Sequence, residues 1–304
     1  MEVQARRRGR RTYYYLTQSY RERGQVRKIE WYLGRKLPKD LAEKKSQWRL
    51  DFLVRQWASA LDQVGRSHQK NWAKTPASVR EKELETFAVR FTYDTNRIEG
   101  SSLTFHETAS LLMDGVTPSH RPMSDVRESL AHRQVFLGAL HSDTQLDLET
   151  ILRWHRELFS ETKPRLAGQV RSYRVGISGS QFEPPLPIEL DLLLDEFFRW
   201  YRAVEKTLHP VILAALVHYR LVSIHPFGDG NGRVTRLAMN FVLYRKRFPM
   251  FDIPYVGRSS YYSSLERSHS AQDEGIFVRW FVKRYQKENT RRVSDRVRPT
   301  RGGA

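Results

Sequence analysis

Apolar residues recur with a helical period along most of the chain. Over residues 38–73 the large ones fall at Leu41, Trp48, Phe52, Leu53, Trp57, Leu61 and Val64, with Gly65 as an expected break. Residues 76–96 repeat the pattern through Leu84, Phe87, Ala88 and Phe91, and Gly100 stands where a helix C-terminus favours a left-handed residue. Thr104, with Glu107 three residues on, is a capping box that opens a short helix to Met113. Helices are expected over 125–141, with Val126, Leu130, Val135, Phe136 and Leu140 inward, and over 147–159 and 188–206. Residues 210–224 are nearly apolar all round, the mark of a buried helix. The last helices are expected over 231–247, 259–268 and 276–285.

Two stretches break the period. Residues 12–20 and 26–33 are aromatic and β-branched and read as a β-hairpin. Its rings either pack on the main body or stack on bases. A second hairpin is expected within 168–187, with β-like pieces at 172–177 and 181–183 around Ser178, Gly179 and Ser180. Exposed hairpins of this kind carry binding more often than packing. The fold class is therefore mainly α. The expected layout is a basic N-terminal extension over 1–75 (hairpin plus helix), a helical domain over 76–286, and a flexible basic tail over 287–304.

Composition narrows the chemistry. The 304 residues contain no cysteine, which excludes disulfides, thiolate metal sites and cysteine nucleophiles. No apolar run is long enough to span a bilayer or follow a basic start as a signal peptide, so a cytoplasmic protein without membrane contact is expected. The net charge is +18. Residues 1–36 contribute +8 of it, from eleven Lys/Arg against three acids, and residues 287–304 contribute +4, from six against two. These ends are either solvated basic surface or a nucleic-acid contact. Residues 1–11 are expected to be disordered. Histidine spacing offers no zinc pair, and no P-loop motif occurs.

The candidate chemistry lies in His225-Pro226-Phe227-Gly228-Asp229-Gly230-Asn231-Gly232-Arg233-Val234-Thr235-Arg236, between two helical runs. Glycines let backbone N–H groups converge, and the following helix N-terminus adds positive potential: an anion site, best suited to phosphate. Arg233 and Arg236, three apart, share a helix face. Asp229 is an oxygen ligand suited to phosphate-bound Mg²⁺, and His225 is a titratable base at the loop mouth. Tyr261 and Tyr262 line an adenine pocket or pack in the core.

This stretch resembles the Fic (filamentation induced by cAMP) family motif HPFx[DE]GNGRxxR at every specified position. Gly168, Arg171, Val175, Ile177, Gly179, Pro184 and Pro185 are similar to the family's flap, whose Val175, Gly176, Ile177 and Ser178 would dock an extended target segment. Thr95 through Glu99 and Gly100 resembles the inhibitory motif [ST]xxxE[GN], placed upstream as in the class with an N-terminal inhibitory helix. The N-terminal hairpin is similar to a small hairpin of some transposases.

The resemblance implies a Fic fold and transfer of AMP from ATP to a Ser, Thr or Tyr hydroxyl of a protein. His225 would take the proton and Asp229 would hold Mg²⁺. Asn231 and the amides around Gly230 and Gly232 would stabilise the α-phosphate, and Arg233 and Arg236 would bind the β- and γ-phosphates. Phe227, Gly228 and Tyr262 complete the expected nucleotide site. Glu99, paired with Arg236, would inhibit. Use of another nucleotide, removal of AMP, or a regulator acting through basic nucleic-acid-binding ends are the alternatives. Homo-oligomerisation is left open.

Overall fold

The computed structural model describes residues 2–22 and 25–297. The chain divides into two units, Met1–Trp57 and Ala58–Ala304.

The first unit is an antiparallel sheet in the order β1 (Glu2–Arg8), β2 (Arg11–Glu22), β3 (Gln25–Gly34), followed by the first half of α1 (Leu41–Lys74). The expected hairpin is thus a three-stranded sheet. The arginine-rich start, expected to be disordered, pairs in full register with β2, from Glu2 opposite Thr17 to Arg8 opposite Arg11. Backbone pairing overrides a side-chain composition that reads as tail. The turn at 23–24 lies outside the described residues. Leu16 is fully buried, Trp31 stacks on Trp48 and Tyr20 meets Phe52 edge-on, so one sheet face seals against the helix.

The second unit is helical. It comprises the rest of α1, α2 (Ala77–Ile98), α3 (Phe105–Ala109), α4 (Met123–His141), α5 (Leu148–Phe159), α6 (Leu190–Val204), α7 (Pro210–Ile224), α8 (Asn231–Arg245), α9 (Arg258–Ser270) and α10 (Glu274–Val297). α1 runs through Gly65 without the expected break. Local signals set the other ends: Thr104 makes the capping box, Asp147 caps α5, and Pro210 occupies the first turn of α7. α7 is buried from Val211 to Tyr219 and packs against α8, α10 and α6, so its last residue is delivered to a fixed place. Phe87, Phe91 and Phe136 join α2 to α4. Leu130, expected inward, is 45% exposed on the far side of α4. α10 continues to Val297, so helix occupies much of the segment expected as a flexible tail. Among the described residues no helix is long and apolar enough to cross a membrane.

Candidate active site

His225 ends α7 in a left-handed conformation (φ 52°) that turns the chain into the glycine loop. Two contacts hold that turn. The buried Arg171 donates from Nε to the His225 carbonyl at 2.8 Å, and its own backbone N–H bonds the Pro226 carbonyl at 2.9 Å. The same guanidinium bonds the carbonyls of Tyr173 and Pro185, one on each limb of the 172–187 segment. The His225 Nδ1 lies 3.3 Å from the Val222 carbonyl. With the proton on Nδ1, the Nε2 lone pair is left for chemistry. Burial depresses the pKa of His225, opposed by the Val222 contact and aided by Arg171, so the ring is neutral at pH 7.

Phe227 is 1% exposed and stacks on His155 at 3.9 Å, so its ring packs beneath the loop. His155 accepts from the Gly168 N–H on Nδ1, which leaves Nε2–H to donate to the Asp229 carbonyl. Burial first, and then Arg233, push its pKa down to about 4, so this bridge is neutral. Asn231, expected on the α-phosphate, uses both amide atoms on the backbone of Phe227, accepting at 2.9 Å and donating at 2.8 Å. It ties the loop shut. Gly228 lies under the Tyr173 hydroxyl. Gly230 caps α8 at φ 78°, with the Phe159 ring where a Cβ would sit.

The two arginines face different carboxylates. Arg233, 4% exposed, pairs with Glu128 of α4 and lies 4.5 Å over the Phe159 ring. Its buried Nε has no hydrogen-bond partner among the described residues. Glu128 also accepts from Thr162 at 3.0 Å and from Lys163 at 2.8 Å. Lys163 reaches Asp229 Oδ2 at 2.9 Å. Burial raises the Asp229 pKa, but Arg233 and Lys163 outweigh it, and the carboxyl stays ionised and half-exposed. Arg236, 1% exposed, donates from Nε to the Thr95 hydroxyl at 2.6 Å and from one terminal nitrogen to Glu99 at 2.5 Å. The Glu99 carboxylate therefore sits over the first turn of α8. A Cβ on Gly232 would collide with its oxygen, so a side chain at this position would have to push the carboxylate off its seat.

Glu99 caps α2, and Gly100 follows at φ 100° as expected. The Tyr262 hydroxyl bonds the Ile98 carbonyl at 3.2 Å, which joins α9 to the same turn. Its neighbour Tyr261 is a core residue bonded to His218.

The 172–187 segment is not the β-hairpin expected. Residues 172–183 form no ladder, and Val175, Gly176, Ile177 and Ser178 lead into a turn closed by Ser180 N–H to the Ile177 carbonyl. Side chains replace the ladder. Glu266 of α9 accepts from the Ser180 hydroxyl and from the Gln181 N–H, and Phe182 stacks on His269 at 3.7 Å.

Sequence reading missed Glu128, His155, Lys163, Glu266 and His269. Only His155 left a trace, on the apolar face of α5 beside Trp154. Among the described residues no three His, Asp or Glu side chains cluster as a metal cage. The ionised, half-exposed Asp229 carboxylate, beside Arg233 with its buried unpartnered Nε among the described residues, fits a Mg²⁺ that arrives with phosphate oxygens.

Residues 145–243 match the model of the Fic/DOC family. The chain is 32% identical over 247 residues to a protein adenylyltransferase Fic of Drosophila erecta, covering 80% of this chain and 47% of that one. The Drosophila melanogaster protein of the same name is 33% identical over 228 residues, 74% of this chain and 44% of that one. The chain thus spans under half the length of these curated relatives. Among solved structures, a Fic-domain-containing signalling protein of Bacteroides thetaiotaomicron superposes with a TM-score of 0.66 at 28% identity, over 76% of this chain and 95% of that one. Fic-1 of C. elegans gives 0.67 at 25%, over 84% and 75%.

Proposed function

We propose, from the premise that this chain belongs to the Fic/DOC family, that it is a protein adenylyltransferase held inactive by its own Glu99. The observation that carries this reading is the Glu99–Arg236 pair at the N-terminus of α8, one turn from the loop that follows His225.

In the transfer, His225 Nε2 takes the proton of a Ser, Thr or Tyr hydroxyl as its oxygen attacks the α-phosphorus of ATP. The bond between that phosphorus and the oxygen bridging to the β-phosphate breaks, and pyrophosphate leaves. Backbone N–H groups at the start of α8 and the helix dipole meet the charge on the α-phosphate. Asn231 contributes by fixing the Phe227 backbone. Arg233 and Arg236 hold the β- and γ-phosphates once their carboxylates yield, and the orphan Nε of Arg233 gains an acceptor. Asp229 would hold Mg²⁺, which neutralises phosphate charge when bound. Val175 to Ser178 present the target hydroxyl from an extended segment. Tyr262 borders the adenine side.

Glu99 takes the place of the γ-phosphate. ATP that enters beside it lies with its α-phosphate out of line, so transfer is slow until residues 95–100 move.

Purified Glu99→Gly protein, given each α-labelled nucleoside triphosphate with Mg²⁺, is expected to label itself from ATP at least tenfold faster than wild type, read by mass spectrometry. His225→Ala should abolish the label in both backgrounds. Equal rates for wild type and Glu99→Gly would remove Glu99 from inhibition, and label that survives His225→Ala would remove the base.

A further inference from the structure

The three-stranded sheet carries chemistry that adenylyl transfer leaves unused. Its faces differ sharply. The face bearing Leu16 and Trp31 is sealed by α1. On the other, Tyr13, Tyr15 and Tyr32 form a continuous aromatic platform. The Tyr15 and Tyr32 rings are 5.4 Å apart, directly opposite in register, and Tyr13 lies 6.3 Å from Tyr32. Along β3, Lys28, Glu30 and Tyr32 are exposed while Ile29 and Trp31 are partly covered, so the alternation marks one open face. Tyr32 is 55% exposed.

Cations rim this platform. The Arg6 guanidinium lies 4.7 Å over the Tyr15 ring and that of Arg35 5.9 Å from Tyr13. Arg8 stands directly opposite Arg11, a like-charge cross-strand pair that costs stability unless an anion lies between. Over residues 1–57 there are sixteen Lys/Arg against six Asp/Glu, a net charge of +10. Two acids share the open face, Glu2 and Glu30, each directly opposite Thr17, and Glu30 is held by Arg6 and by Lys28 at 3.2 Å.

Charge alone would suit any polyanion. One exposed ring, Tyr32, and two partly exposed ones, Tyr13 and Tyr15, flanked by guanidinium groups suit a polyanion whose bases offer free faces beside its phosphates. A duplex hides those faces, and an acidic protein has none. We propose that the open face of this sheet binds single-stranded nucleic acid. The three tyrosines stack on unpaired bases, Arg8, Arg11 and Arg35 contact phosphates, and Glu30 competes with the strand for Arg6 and Lys28. This site is independent of the Fic motif.

Fluorescence anisotropy of the full chain tests it, with labelled 20-nucleotide DNA and RNA single strands, the matching duplexes, and heparin as competitor. Single strands are expected to bind with an affinity that falls steeply with salt, and the DNA and RNA arms show which sugar is preferred. Tyr15→Leu and Tyr32→Leu should each weaken binding about tenfold with the salt slope unchanged. Arg8→Gln should lower the slope, and Glu30→Gln should tighten binding. His225→Ala should bind like wild type. Far-UV circular dichroism confirms that each variant keeps its sheet. Single-strand affinity weaker than about 100 µM at physiological salt, equal affinity for duplexes, or folded tyrosine variants that bind like wild type would each overturn the proposal.

Discussion

His225 is held by its backbone more than by its ring. Its left-handed φ, the Arg171 bond to its carbonyl and the contact of Nδ1 with the Val222 carbonyl set where Nε2 points. Burial lowers its pKa from the usual 6.5. A base with a depressed pKa stays unprotonated through neutral pH and loses function only as pH falls through that lower value. The acid limb of kcat/KM, measured on Glu99→Gly protein, is therefore expected below pH 6.5. A limb above 6.5 would mean that a carboxylate, and not burial, governs the ring. At this scale the sequence was half legible. Twelve consecutive residues announced a base, an acid, an amide and two arginines. The partner of Arg233 was hidden, because Glu128 is 105 residues away, whereas Glu99, 137 residues from Arg236, was legible only through the family resemblance of residues 95–100. Spacing along a helix reports which side chains share a face, not which carboxylate the tertiary fold brings to them.

Among the elements, α8 is pinned at both ends by the same device. Asn231 clamps the Phe227 backbone at its start, and Asn240 clamps the Phe251 backbone beyond its end, at 2.8 Å and 3.0 Å. The 172–187 segment is held differently, by Arg171 at its base and by Glu266 and His269 along its return. Two hydrogen bonds to an ionised carboxylate are worth on the order of 2 kcal/mol even where water screens them. Glu266→Ala should therefore speed amide hydrogen exchange over residues 178–183 roughly tenfold and leave α8 protection unchanged. Unchanged exchange in the segment would show that Phe182 on His269 suffices to hold it. Helices were readable because caps and a 3.6 period are local. The segment's side-chain anchors are not local, so its turn residues suggested a hairpin. β1 was unreadable for the opposite reason: its arginines disguise a strand whose partner supplies the pattern.

Across the described residues, the buried His132, His155 and His218 and the half-buried His269 are kept neutral. Burial pushes His132 and His218 down to about 3, and His155 and His269 down to about 4. In the unfolded chain each titrates near 6.5. Between those values the unfolded state binds more protons, so their contribution is fully present above pH 6.5 and is lost as pH falls toward 4. The expected result is a melting temperature that drops by more than about 5 °C from pH 7 to pH 4.5, measured by differential scanning calorimetry. A flat profile over that range would show that the native state takes up these protons without opening.

Glu99 has one more property, which follows from being covalently attached. Its carboxylate reaches Arg236 at the end of α2, a helix whose inward face is buried from Leu84 to Ile98. An occupant on such a short rigid leash is never diluted. Its effective concentration is set by geometry, on the order of millimolar or above. Diluting the protein cannot release it, and neither can dialysis. With Glu99 as the proposed inhibitor, free triphosphate would contest the position only at comparable abundance, whereas any event that frays the last turn of α2 would remove the competitor at once. On that proposal the pair would answer to mechanical loosening of one helix end before it answered to substrate supply.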